Sequence, residues 1–131
     1  MYVHGRDRNF RPLIVIRPRV ITELGIVSLY TLTIYKTEHD DGIMACVFMM
    51  EYVRANLFMP GQVENWNLLI DLDNLGLMGI PYKSLKSFLD TLQGQYRCTS
   101  ARVFIINVSY VFNVVWQTVK GFLEEHTKRK I

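Results

Sequence analysis

Three short, nearly unbroken apolar runs constrain this chain most: Leu13-Ile14-Val15-Ile16, Trp66 to Leu72 (WNLLIDL) and Arg102 to Asn107 (RVFIIN). Each has the length of a strand and is rich in β-branched, aromatic or leucine side chains. None alternates cleanly between apolar and polar, so each is expected to be buried on both faces, the habit of strands in parallel sheets. The stretches between them are long enough for crossover helices. The element order is then strand, helix, helix, strand, helix, strand, helix. That order describes an α/β domain, a mainly parallel sheet under helical cover.

Local signals place the boundaries. The first strand is read over residues 12–17, fenced by Pro12 and Pro18, and His4 to Phe10 ahead of it is turn-like through Gly5, Asp7 and Asn9. Residues 20–36 have strand-like density, yet Leu24, Val27, Tyr30 and Ile34 also fit helical spacing, and a helix suits the topology better. Asp41 is placed to cap a helix over 43–57, with Val47, Met50, Val53 and Leu57 along its apolar side. Met44, Met49, Met50 and Met59 lie in or beside it. Methionine adapts to irregular partners, acyl chains included, but on its own such a stripe is more often ordinary core. After Pro60-Gly61 comes the strand at 66–72, ending in Asp71 and Asp73, and a turn at Asn74-Leu75-Gly76. Pro81 opens a helix over 81–96 with Leu85, Phe88, Leu89 and Leu92 inward. The third strand covers 101–107. Ser109 can cap a last helix over 109–125 that carries Val111, Phe112, Val115, Trp116, Val119 and Phe122.

Composition narrows the function. At 131 residues and 50% hydrophobic, the chain is one domain able to bury a sizeable core, and it is too apolar for a disordered segment. Its mean hydropathy of +0.11 suits either an apolar cavity or a domain dominated by core elements. The net charge is +3, with basic residues gathered early (Arg6, Arg8, Arg11, Arg17, Arg19) and late (Lys128, Arg129, Lys130). Such clusters attract anionic headgroups or form a solvated face. The aromatic-and-basic signature of an RNA-binding sheet is absent, so no nucleic acid is expected as a partner. Cys46 and Cys98 form no redox or zinc motif, and His4, His39 and His126 are scattered, so no metal is expected. The longest apolar patch, Ile43 to Met50, falls short of the ~18–20 residues of a membrane span. The polar opening carries no signal peptide, so the expected location is cytoplasmic. Phosphate-binding loops, the dinucleotide fingerprint and the nucleophile elbow are all missing. Asp71 and Asp73 lack a third ligand, which favours a turn-capping role over metal binding. Neither a cofactor nor an enzymatic reaction is expected.

Five short blocks, in order, resemble the CRAL-TRIO lipid-binding domain of phosphatidylinositol/phosphatidylcholine transfer proteins. His4-Gly5-Arg6-Asp7 through Arg11-Pro12 resembles that family's D-x-x-G-R-P-V approach to the first strand. Glu51-Tyr52 falls in the long helix where an E-Y pair is frequent. Asn67 to Gly76 (NLLIDLDNLG) resembles the hallmark strand and turn, with Asn74 in place of a glycine. Arg102 to Asn107, followed by Val108, Phe112 and Trp116, is similar to Y-I-I-N-A-P-x-x-F-x-x-x-W, with Val108-Ser109 replacing Ala-Pro. Gly121-Phe122-Leu123 with Thr127 to Ile131 resembles P-F-L-x-x-x-T-x-x-K-I, with Gly121 replacing proline.

The resemblance implies a sheet that floors an apolar pocket, helical walls and one phospholipid as ligand, a phosphoinositide favoured. It places Thr127 and Lys130 at the headgroup, where a hydroxyl and an ammonium suit an anionic phosphate. The alternative for Lys128 to Lys130 is a basic helix end offsetting the dipole. Acyl chains are expected against Ile14, Ile16, Leu68, Ile70, Phe104 and Ile106. Cys98 stands where the family carries an acidic inositol contact, and Trp66 and Leu68 replace the small hydroxyl residues that read choline phosphate. Relative to the family, the chain is expected to lack N-terminal helices, a C-terminal strand and the gate helix. The resemblance further implies peripheral membrane association through a transient membrane surface, and a homo-oligomer through an open sheet edge is one way to complete the fold. Lipid binding and transfer is the first reading; a non-catalytic protein- or membrane-interaction module is the second.

Overall fold

The computed structural model describes residues 1–18, 40–73, 82–109 and 112–131. Four strands lie side by side in chain order: β1 (Tyr2–Arg6), β2 (Pro12–Ile16), β3 (Trp66–Asp71) and β4 (Ser100–Ile106). β1 runs antiparallel to β2, and β2, β3 and β4 are parallel. The helices are α1 (Asp40–Leu57), α2 (Tyr82–Gln95), α3 (Phe112–Phe122) and the short α4 (Glu125–Lys128). The expected α/β architecture is present, and its three parallel strands fall within a residue of the ranges expected for them, 12–17, 66–72 and 101–107. The helix expected over 20–36, the turn at Asn74-Leu75-Gly76, Pro81 and Val111 lie outside the described residues, as do the side-chain directions of Leu85, Phe88 and Val115.

Register fixes the two faces of the sheet. Ile14 pairs with Leu68 and Leu68 with Val103, so these three side chains share one face. Leu13, Asn67 and Arg102 form a rank on the other, as do Val15, Leu69 and Phe104. The first face carries the core. Ile14, Ile16, Trp66 and Leu68 pack with Met50 and Val53 of α1 and with Tyr96, all at most 3% exposed. Each such side chain contributes ~1.5–3 kcal/mol through burial. Trp66 sits between Phe58 (centroids 5.6 Å apart) and Tyr96 (5.5 Å), and its indole N–H donates to Ser100 Oγ at 3.0 Å.

Three boundaries differ from expectation, each for a local reason. The turn expected from His4 begins only at Asp7, because Tyr2 and Val3 pair with Val15 and Ile14 and a bulge before Arg6 carries the strand on. Gly5 takes a φ of +64° there, open to glycine at little cost. Asp7 then accepts the backbone N–H groups of Asn9 (2.8 Å) and Arg11 (2.9 Å), closing the turn. α1 starts at Asp40, three residues before the expected start at 43, which puts Asp41 in its first turn; the side chain of Asp41 lies outside the described residues. The single helix expected over 109–125 is two. Gln93, 7% exposed, gives its amide N–H to the Phe122 carbonyl (3.0 Å) and accepts the Glu124 N–H (2.6 Å), holding the chain extended at Glu124.

Candidate functional site

The hallmark aspartate is structural. Asp71, at the end of β3, accepts the Asn107 side-chain amide (2.7 Å), Arg17 Nε (3.1 Å) and the Asp73 backbone N–H (3.2 Å). The Asn107 hydrogen bond, then those of Asp73 and Arg17, hold its carboxyl below the usual carboxylate range. The expected turn-capping role is therefore present. Among the described residues no three His, Cys, Asp or Glu side chains gather as a metal site.

The T-x-x-K segment docks on the outer edge of β4. Lys130 O accepts the Val103 N–H at 2.8 Å, so the chain after α4 begins to pair with that edge. Lys130 Nζ donates to the Arg97 carbonyl at 2.7 Å. Burial lowers the affinity of this ammonium for its proton, while the neighbouring Cys98 sulfur acts in the opposite direction. The structure thus places Lys130 beside the Arg97-Cys98 turn. Thr127 is half-buried one turn earlier, its carbonyl accepting the Lys130 N–H at 3.0 Å. Arg97, in the same turn, pairs with Glu124 at 3.3 Å. The adjoining Tyr96 hydroxyl donates to Glu51 Oε1 at 2.7 Å, and Arg54 holds the same carboxylate at 3.0 Å. Glu51 of the E-Y pair is thereby tied to this turn, whereas Tyr52 is 50% exposed.

The six expected tail residues do not form one surface. Ile14, Ile16 and Leu68 are sealed in the core at 0–2% exposure, and Ile70 is half-buried on the same face. Phe104 (43% exposed) and Ile106 (39%) stand on the opposite face, because their partners are Leu69 and Asp71. A groove of roughly 460 Å³ lies on that second face, between the Asp7–Arg11 turn and the strands. Leu13, Leu69 and Phe104 are its apolar lining, and Asn67, Arg11 and Arg102 line it too. Sequence reading missed it. The available signal was the odd-numbered register of β2 and β3, where a polar Asn67 interrupts an apolar run.

No helix among the described residues is long and apolar enough to cross a membrane. A family model described as CRAL/TRIO domain matches residues 1–131. Protein real-time of Aedes aegypti is 28% identical over 136 residues, covering 97% of this chain and 20% of that protein. The phosphatidylinositol/phosphatidylcholine transfer protein SFH12 of Arabidopsis thaliana is 25% identical over 132 residues, covering 98% of this chain and 24% of that protein. The crystal structure of Sfh5 superposes with a TM-score of 0.77 at 14% identity, over 98% of this chain and 44% of that one, so the fold is shared. The chain spans about a fifth to a quarter of the length of these curated relatives.

Proposed function

The chain belongs to the CRAL/TRIO domain family, and from that premise we propose that it binds a phospholipid, a phosphoinositide by preference, and passes it between membranes without catalysing a reaction. The carrying observation is the double anchoring of Lys130, whose carbonyl is held at Val103 and whose ammonium is held at the Arg97 carbonyl. A cation fixed at the rim of an apolar sheet is prepared to meet an anionic headgroup, and the Thr127 hydroxyl one turn away offers a further donor. The tails are assigned to the face of Ile14, Ile16, Leu68 and Ile70. Loading there requires Met50, Val53 and Tyr96 to draw back, because the first three are sealed beneath them. Phe104 and Ile106 belong to the other face and leave the proposed pocket. Cytoplasmic residence with transient membrane contact, and pairing of two copies at a sheet edge, are part of the same proposal.

Liposomes carrying fluorescent phosphatidylinositol or phosphatidylcholine test it. Phosphatidylinositol should be taken up preferentially, and Lys130→Ala should weaken uptake ~10-fold or more, the worth of one charge-assisted hydrogen bond. Equal uptake of the two lipids, unaffected by the variant, would remove the phosphoinositide assignment.

One observation favours the second reading, a non-catalytic interaction module. Met44, Phe48 and Tyr52 follow one another at four-residue spacing along α1 and are 60%, 72% and 50% exposed. Such a ridge suits a protein or membrane surface. A chain that stays free of lipid yet binds membranes through this ridge, and loses binding on Phe48→Ser, would favour the module.

A further inference from the structure

We propose that the groove on the second face of the sheet is a separate binding site, for an amphiphilic anion that carries a hydrogen-bond donor beside its charge. At roughly 460 Å³ it falls within the ~300–1,000 Å³ of small-ligand pockets. Its apolar wall is the rank of Leu13, Leu69 and Phe104. Phe104, 43% exposed, offers uncovered apolar surface on β4, the last strand of the sheet.

The charges select an anion. Arg102 is exposed and makes no hydrogen bond or ion pair among the described residues. Arg6 spends its donors on the carbonyls of Phe10 (2.7 Å) and Leu57 (2.8 Å), which leaves its charge without an acidic partner. Asp7 is the acid that lines the groove, and its carboxylate is already occupied. It accepts Asn9, Arg11 and Asn67, and the Arg11 guanidinium lies 3.9 Å away. The groove is therefore net positive, with Arg102 the free anchor.

The donor requirement comes from Asn67. This side chain lines the groove at 6% exposure, in register between Leu13 and Arg102. Its Nδ2 donates to Asp7 Oδ2 at 2.8 Å, which fixes the amide orientation because a carboxylate accepts only. Oδ1 is then left without a donor and with under 1 Å² of its own surface uncovered, so a ligand's donor reaches it only as the side chains around it shift on binding. Unpaired buried acceptors are uncommon in folded proteins. An acylated amino acid or a hydroxylated fatty acid presents all three complements: a carboxylate, an adjacent N–H or O–H, and a chain. The site lies across the sheet from Ile14 and Leu68 and does not involve Lys130, so it stands or falls independently of the phospholipid reading.

The test titrates the full chain, labelled with nitrogen-15, with N-octanoylglycine, octanoate and octylamine, following the Asn67 side-chain amide and Arg102 Nε–H by NMR. N-octanoylglycine should shift both signals and bind at least ~3-fold more tightly than octanoate, the share of one neutral hydrogen bond. Octylamine should leave them in place. Arg102→Gln should weaken N-octanoylglycine ~10-fold with the fold intact by circular dichroism, whereas Lys86→Gln, at an exposed lysine of α2 outside the groove, should change nothing. Unmoved Asn67 and Arg102 signals, or equal binding to Arg102→Gln, would overturn the site. Equal binding of octanoate would overturn the donor requirement.

Discussion

The Asn107 side-chain amide donates a 2.7 Å hydrogen bond to Asp71 Oδ1, tying the C-terminal ends of β4 and β3 together. Asn107 holds a φ of 55°, a conformation that asparagine tolerates better than most residues, and from it the amide reaches across the strand ends. The two residues come from separate hallmark segments, and their relationship is architectural.

Asp71 should therefore shape the acid limb of stability. Its carboxyl is held low in the folded chain, first by Asn107. Its contribution is present above the unfolded carboxylate range and is lost as pH falls through that range towards the folded value. The urea midpoint should drop more steeply between about pH 5 and 3 in the natural chain than in Asp71→Asn. Asp7, Glu51 and Glu125 are also held low and remain in both proteins, so the difference isolates Asp71. Parallel acid limbs would contradict the assignment.

Tyr96 should titrate late. Burial, then the hydrogen bond to Glu51, pushes its phenol up to about 12. A raised folded value contributes stability that is complete below the unfolded value and lost as pH rises through the folded one. Ultraviolet titration of the natural chain minus Tyr96→Phe should show one tyrosine that stays protonated past pH 10, until the chain unfolds. At neutral pH, Tyr96→Phe should cost ~1–3 kcal/mol in chemical denaturation, since it strips a charged acceptor of its partner.

The two faces of the sheet should respond differently to truncation. Leu68→Ala removes a sealed core side chain and should cost ~2–5 kcal/mol. Phe104→Ala acts on a residue that is 43% exposed and should cost ~1.5 kcal/mol or less. Equal losses in guanidinium denaturation would mean that the second face is as tightly covered as the first.

Gln93 should hold the break between α3 and α4. Gln93→Ala leaves the Phe122 carbonyl and the Glu124 N–H without their side-chain partner, at a cost of ~1–3 kcal/mol. Hydrogen exchange at Glu124 should accelerate selectively. Unchanged protection there would show that the break is held by other contacts.

What could be read from the sequence follows from how each element is encoded. β2, β3 and β4 were legible because parallel strands are apolar on both sides and announce themselves as runs. β1 was not, because an edge strand with a bulge at Gly5 and charged neighbours has the composition of a turn. The break after Phe122 was also hidden, since its cause is Gln93 on another helix and nothing nearby in sequence marks it. Thr127 and Lys130 could be singled out by their spacing, but the anchoring of Lys130 at Val103 and Arg97 is a tertiary fact. The six tail residues follow from the family's sheet floor together with the apolarity of the strands. Apolarity is blind to register, and register sends Phe104 and Ile106 to the far face.

The most direct test of the central claim is native mass spectrometry of the chain purified from a eukaryotic host, with extraction and identification of any bound lipid. The account predicts one phospholipid per chain, enriched in phosphatidylinositol or its phosphorylated forms, and its loss in the Thr127→Ala, Lys130→Ala double variant. Folded protein that is empty on purification, and still empty after incubation with mixed liposomes, would contradict it.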